Sequence, residues 1–330
     1  MRKAFDVIVV SIMFIMIFAL SLFILTSCSE NGIEDKTYDV DENFCILTID
    51  ADTENIEVIP ATDGICRVVC TEMPRLYHSV EVSDGVLKIK VVDERRWFEK
   101  ISLFGDRSIT VYLPADIYTS LLVDSHTGDI DIDEGFTFEH ININLTTGDV
   151  RCDASAENVI RIKTDTGDIF LLNSDAASIE LSATTGMVVI TGSDCIDASI
   201  TTDTGNIAIS DLDCEGELEI SVDTGRVSLT NITADSLASN GNTGDISLIS
   251  VVVQNKMSID SDTGDVIFDR CDAGEIIVNT DSGDVIGTFL TEKIIFATTD
   301  TGRIDIPKYT IGGKCDITTD TGDIKIEIQK

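Results

Sequence analysis

The sequence predicts an all-β fold, a single-stranded parallel β-helix (a β-solenoid) with a right-handed coil as the expected hand. Three observations carry that prediction. A glycine returns every 19 or 20 residues from Gly128 to Gly322, aliphatic residues alternate with polar ones on both sides of it, and helical spacing is absent from residue 44 onward. A fixed period of this kind marks a repeat architecture and overrides any domain count drawn from the length of 330 residues.

The glycines are Gly128, Gly148, Gly167, Gly186, Gly205, Gly225, Gly244, Gly264, Gly283, Gly302 and Gly322. Seven and five residues before them stand pairs such as Ile160 and Ile162, or Leu218 and Ile220; two and four residues after them stand Ile169 and Leu171, or Val227 and Leu229. Period-two alternation is the mark of a strand with one buried face, so each copy reads as strand, tight turn, strand, looser turn. An open antiparallel meander of so many strands would curl or split and leave an apolar face in water. A membrane barrel needs strands of about 9 to 11 residues, whereas these have about five. Stacking the copies at about 4.8 Å instead turns each inward position into an aliphatic column, and about 11 regular coils reach roughly 50 Å.

The residue before glycine is Thr in ten copies and Ser282 in the eleventh. Asp recurs two residues before glycine (Asp165, Asp262, Asp281 and Asp320 among others) and one residue after it (Asp168, Asp265, Asp284 and Asp323 among others). Glycine accepts the positive φ of a sharp corner, and Asp and Thr side chains accept hydrogen bonds from turn N–H groups, which accounts for every residue of the motif. The sharper alternative is a cation ladder on those eight carboxylates. Neighbouring rungs at that spacing repel by about 0.9 kcal/mol even in bulk water, and Ca²⁺ takes oxygen ligands of this kind. Against it, the Gly-Gly-x-Gly-x-Asp nonapeptide of calcium β-rolls is missing, and Met187, Asn206, Arg226 and Arg303 interrupt one ladder. No cofactor other than Ca²⁺ is suggested, and no metal site is established.

The chain holds 59 Asp plus Glu against 23 Lys plus Arg, a net charge of -36, a field that repels nucleic acid and draws in cations or basic partners. At the N-terminus, Arg2 and Lys3 precede residues 7–25, a run without charge that is long enough to cross a hydrocarbon core of about 30 Å. The run ends in Leu25-Thr26-Ser27-Cys28, which resembles the lipobox of bacterial lipoproteins and implies an acyl anchor on Cys28. An uncleaved signal-anchor helix is the other reading, and both place the rest of the chain outside the cytoplasm. The expected organisation is therefore a signal peptide or anchor over 1–28, a flexible tether over 29–43, an irregular N-terminal β region and cap over 44–120, and regular repeats over 121–330. Residues 47–58 form a degenerate copy with Glu54 standing where glycine should be.

One segment, residues 93–107, groups Arg95, Arg96, Trp97 and Phe98 with further basic and aromatic residues in an otherwise acidic chain. It reads as a cap over the open apolar end of the first coil or as a partner-binding loop. His78, His126 and His140 show no metal spacing and read as surface loop residues, and no Ser/His/Asp or Cys/His arrangement stands out. Cys152 and Cys315 fall on inward positions as small hydrophobes. Cys195 and Cys214 each lie nine residues after a glycine, so adjacent coils bring them within disulfide range.

The exported chain, the phrase VYLPADIYTSLLVDSHTGDIDI (111–132) and the iterated TDTGDI together resemble the bacterial putative-adhesin domain of unknown function, the YvlB-like family. The resemblance covers about residues 44–330. It implies a β-solenoid at the cell envelope and no established activity, so no catalytic or binding residue is carried over. The expectation for function is a non-catalytic, membrane-anchored surface module that binds a glycan, wall polymer or protein, or serves an envelope-stress system. A polysaccharide-acting β-helix enzyme and a purely structural scaffold are the alternatives. A single non-repeated set of Asp, Arg or Lys in a groove would favour the enzyme, and uniform ladders the module. Lys325, Glu327 and Lys330 are expected to guard an open edge on the last coil against stacking.

Overall fold

Strands with one apolar face cannot stand alone, and in the computed structural model of the chain they bury that face by stacking coil upon coil. The structure describes residues 32–97 and 107–329; residues 7–25, Cys28, Phe98 and Lys330 lie outside them. The described residues form strands joined by turns, bends and irregular stretches, with no helix long and apolar enough to cross a membrane. The fold is a β-solenoid, as the repeat predicts.

Register follows the sequence period. Ile160 and Ile162 lie beside Ile179 and Leu181 of the next coil, which in turn lie beside Ala198 and Ile200, all in parallel pairing. On the other side of the corner Ile169, Val188, Ile207 and Val227 form an equivalent column. All of these side chains are buried. The columns are fitted locally: where Phe268 replaces the usual aliphatic residue, its in-register neighbour is Gly287, and Phe289 packs edge-on against it at 5.2 Å between ring centroids.

The corner glycine has two reasons to be glycine. Gly167 sits at φ +139, and a Cβ built on it would lie 1.9 Å from the carbonyl oxygen of Gly148 one coil away. Its N–H donates to Thr185 O at 2.9 Å in the coil on the other side, so corner stacks directly on corner. A second corner, six residues later, was expected only as a looser turn. Asn173, Gly192, Asp211, Asn231, Ser250 and Arg270 all adopt left-handed backbone there, with φ from 51 to 68. A third break in the ladder falls near Cys195, Cys214, Ala234 and Val253, where the register shifts by a residue.

Stacking order departs from sequence order at both ends. Gly313–Thr321 pairs with Val266–Ser282 on one side and with Lys293–Thr301 on the other, so the Gly322 coil lies between the Gly283 and Gly302 coils. Ile324–Ile328 is likewise paired on both sides, with Val285–Phe289 and with Ile304–Asp305. The expectation of an open edge is therefore corrected for Lys325, which pairs with Ile286 on one side and Asp305 on the other, whereas Glu327 is paired only with Thr288 among the described residues. The outward coil is that of Gly302, where Ile295, Ala297 and Ile306 are only partly buried and Ile304 is 45 % exposed.

The N-terminal end repeats the device. Ile46–Asp50 lies between Val86–Asp93 and Ile117–Thr127, and Asn55–Pro60 between Ser108–Leu113 and Ile130–Ile132. The degenerate copy is thus a true coil, with the Glu54 carbonyl 2.4 Å from where a Cβ on Gly128 would sit. The expected tether is also corrected. Within 29–43, Glu34–Val40 forms a strand antiparallel to Cys66–Glu72, which pairs in turn with Ser108–Leu113. Tyr38 and Val40 supply the inward face, and the Lys36 amine sits 4.5 Å from the Tyr38 ring centroid.

Candidate functional site

The Asp one residue after each corner glycine has a structural task. Its carboxylate accepts the backbone N–H of the equivalent residue one coil along: Asp168 N–H donates to Asp149 Oδ1 at 2.8 Å, Met187 N–H to Asp168 at 2.7 Å, Asp284 N–H to Asp265 at 2.9 Å, and Asp323 N–H to Asp284 at 2.7 Å. These donors lie at a corner where no neighbouring carbonyl faces them, so the side chain completes the ladder. Asn206 does the same for Arg226 N–H at 2.8 Å and is no interruption. Arg303 sits on the outermost coil and only donates, to Asp323 at 2.8 Å. The breaks are Met187 and Arg226, whose side chains offer no acceptor. Met187→Asp is therefore expected to stabilise the fold by about 1 kcal/mol, measured as a raised midpoint in urea with unchanged slope.

The Asp residues two before glycine, Asp165, Asp262, Asp281 and Asp320, are exposed. Among the described residues no group of three or more His, Cys, Asp or Glu is disposed to hold a metal ion.

Two grooves break the uniformity. The first, of about 310 Å³, is lined by Asp50, Asp124, His126, Asn144, Lys163 and Asp165. It gathers positions two and four before three successive glycines, and these positions differ in chemistry from coil to coil. Asn144 Nδ2 donates to Asp124 Oδ1 at 2.8 Å, and Lys90 pairs with Asp50 at 3.0 Å. The second groove, of about 420 Å³, carries Glu157, Asp175, Asp194, Asp213 and Glu215 around Cys195 and Ile196.

The N-terminal cap holds buried polar groups that the sequence reading missed. Glu54, fully buried in the glycine slot, accepts the N–H groups of Asp52 and Thr53 at 2.9 Å each and pairs with Arg107 at 2.6 Å; Arg107 also contacts Thr53 Oγ1. Nearby, Glu72 Oε1 accepts the Tyr38 hydroxyl at 2.5 Å and His78 N–H at 2.9 Å. His78 is thus not a surface loop residue. It lies in Leu76–Ser83, 2 % exposed, whereas the His126 side chain is exposed.

Burial holds the His78 imidazole below its usual pKa of 6.5, against the opposing pull of Glu54 and Glu72. The unfolded chain therefore binds this proton more readily than the folded one, and stability falls as pH drops below about 6.5. His78→Gln is expected to flatten the stability profile between about pH 6.5 and 5, as read by urea midpoints at stepped pH.

Of the other expected site residues, Arg95 is paired with Asp93 at 2.9 Å. Trp97 is 78 % exposed, and the rest of the segment, residues 98–106, lies outside the described residues. Cys152 and Cys315 are buried as expected, and Cys195 and Cys214 are free thiols in register on neighbouring coils.

Fold and corners define a class: an acidic β-solenoid built on Thr-Gly or Ser-Gly corners, with glycine carbonyls stacked along one edge. The chain belongs to the Toastrack DUF4097 family, whose model matches residues 46–230 and 211–330. It is similar in fold to a putative adhesin from Parabacteroides distasonis at 12 % identity, covering 90 % of this chain and 98 % of that one with a TM-score of 0.44. A putative lipid binding protein from the same organism is 11 % identical over 90 % and 98 % of the chains, with a TM-score of 0.40. A putative adhesin from Parabacteroides merdae is 10 % identical over the same shares, with a TM-score of 0.39. The comparison with curated proteins finds no match.

Proposed function

We propose that the chain is a non-catalytic module of the cell envelope, held at the membrane through Cys28 or the apolar run 7–25, that binds a glycan in its N-terminal groove. The observation that supports this is the mixed lining of that groove. Asp50, Asp124 and Asp165 offer acceptors, Lys163 offers donors and Asn144 offers both, within one cleft of about 310 Å³ on a rigid stack. Such a set suits sugar hydroxyls. The net charge of -36 favours a neutral or amine-bearing glycan over an anionic wall polymer.

The test is calorimetric titration of the detergent-purified chain with chitosan and chitin oligosaccharides. Asp165→Ala and Lys163→Ala are each expected to weaken binding about 5- to 10-fold, the loss of roughly one hydrogen bond to a charged group, without moving the melting temperature. Absence of binding, or variants that bind like the parent, overturns the glycan reading; recovery of a protein from envelope extracts by the same groove would replace it with a protein partner. The same groove holds three carboxylates, a histidine and a lysine in a non-repeated set, the arrangement that favours the polysaccharide-acting alternative. Cleavage of the bound oligosaccharide would decide for that alternative.

A further inference from the structure

We propose that Cys195 and Cys214 form a reversible cross-coil disulfide by exchange with a low-molecular-weight disulfide that reaches them through the acidic groove. The two residues are paired in register on neighbouring parallel coils, so their Cα atoms stand about 4.8 Å apart, inside the range of about 4.4 to 6.8 Å that a disulfide bridges. Their column continues with Ala176 on one side and Ala234 on the other. These small neighbours leave room for each sulfur to turn along the stack toward the other. The ladder also shifts register immediately after both cysteines, giving the backbone slack at the place where a bond would draw the coils together.

Access and reactivity favour the same pair. Cys195 lines the groove of about 420 Å³ at 5 % exposure while Cys214 is only 1 % exposed, so a disulfide reagent meets the pair through the Cys195 sulfur. Cys214 Sγ lies 3.2 Å from Ile196 O, on the side of the neighbouring coil. Hydrogen bonding from Cys195, together with the Gly216 and Ala198 backbone, lowers the Cys214 pKa below the ordinary thiol value, while the same coupling raises that of Cys195. The pair therefore gives up one proton readily and the second reluctantly, the pattern of two thiols sharing one negative charge.

No other cysteine has this setting among the described residues. Cys152 is in register with Leu171 and Ile132, Cys271 with Phe289, and Cys315 with Ile276 and Ile295. Burial, with a smaller push from Asp269, raises the Cys271 thiol to about 11, and burial with Asp316 raises that of Cys315 to about 12.

The chemistry balances. The pair's thiolate attacks one sulfur of the external disulfide, forming a mixed disulfide and releasing one thiol. The remaining protein thiol then loses its proton to solvent, attacks the protein sulfur of the mixed disulfide and expels the second thiol. Two protein thiols are oxidised, the external disulfide is reduced to two thiols, and an external dithiol runs the steps backward. The inference does not depend on the glycan reading.

The folded full-length chain, purified in detergent, is incubated with cystamine, a small dicationic disulfide that the acidic groove attracts, quenched with acid, denatured and counted for thiols. Two thiols are expected to disappear relative to the untreated chain, with one cross-linked peptide joining residues 195 and 214 and full recovery in dithiothreitol. Closing the 19-residue loop is expected to raise the melting temperature by about 5 °C. Cys195→Ala, which places in the column the residue already found at Ala176 and Ala234, is expected to fold, to form no cross-link and to show no oxidant-dependent melting shift. Retention of every thiol, a stable cysteamine adduct on Cys195, or a cross-link joining other cysteines overturns the proposal.

Discussion

Gly225→Ala is expected to cost more than about 3 kcal/mol and to lower the melting temperature by at least about 5 °C. Two effects add at this position. The backbone φ of +155 is a conformation that residues with a Cβ rarely adopt, and a Cβ built there would stand 1.7 Å from the carbonyl oxygen of Gly205. Neither atom can yield alone. Gly205 O is fixed by a corner whose own N–H donates to Thr224 O at 2.9 Å, and Gly225 N–H donates onward to Thr243 O at 2.9 Å. Relief requires moving one coil relative to the next, which strains the Ile207–Val227 and Ile220–Ile200 contacts of the buried columns. Gly64, which also has positive φ but has nothing within 4 Å of its Cβ direction, is the control: Gly64→Ala bears only the backbone strain and is expected to cost about 1 kcal/mol. Equal midpoints for the two variants in urea would show that coil stacking contributes nothing at the corner.

The corner, the columns and the fold class were legible because one residue type serves one geometric need in every coil. Where several residue types meet the same need, legibility fails. The second corner is left-handed in six successive coils; Asn173, Gly192, Asp211 and Asn231 are types that tolerate that region, but Ser250 and Arg270 are not, so no single residue marks it. Stacking order at the C-terminal end was illegible for the opposite reason. Residues 298–302 and 318–322 both read TTDTG, so nothing local says which coil lies against Gly283. The inward faces decide it: the column residues Cys315 and Ile317 are buried, whereas Ile295 and Ala297 are only partly so. The strand Glu34–Val40 was hidden because its inward residues, Tyr38 and Val40, sit in a segment otherwise rich in charge. The grooves could not be read at all, since their linings join residues as far apart in sequence as Asp50 and Asp165.

The Glu54–Arg107 pair is expected to give the largest single-residue effect outside the corners, about 3 to 5 kcal/mol for Arg107→Ala. Both side chains are nearly inaccessible, at 0 % and 4 % exposure, so removing the guanidinium leaves a buried carboxylate with only the Asp52 and Thr53 N–H groups to hold it. The pair also carries topology. Glu54 belongs to the coil tucked against Gly128, and Arg107 immediately precedes the strand Ser108–Leu113 that lies over that coil, with Asn55 N–H donating to Arg107 O at 2.9 Å. Loss of the pair should therefore loosen the outer coil before the inner repeats. Amide hydrogen exchange is expected to rise in Ser108–Leu113 and Cys66–Glu72 while residues 150–282 stay protected. Replacing both partners, Glu54→Gln with Arg107→Met, removes the unpaired charge and should recover most of the loss. A double variant as unstable as Arg107→Ala would mean that the shape of the two side chains, rather than their charge, holds the first coil beneath its cover.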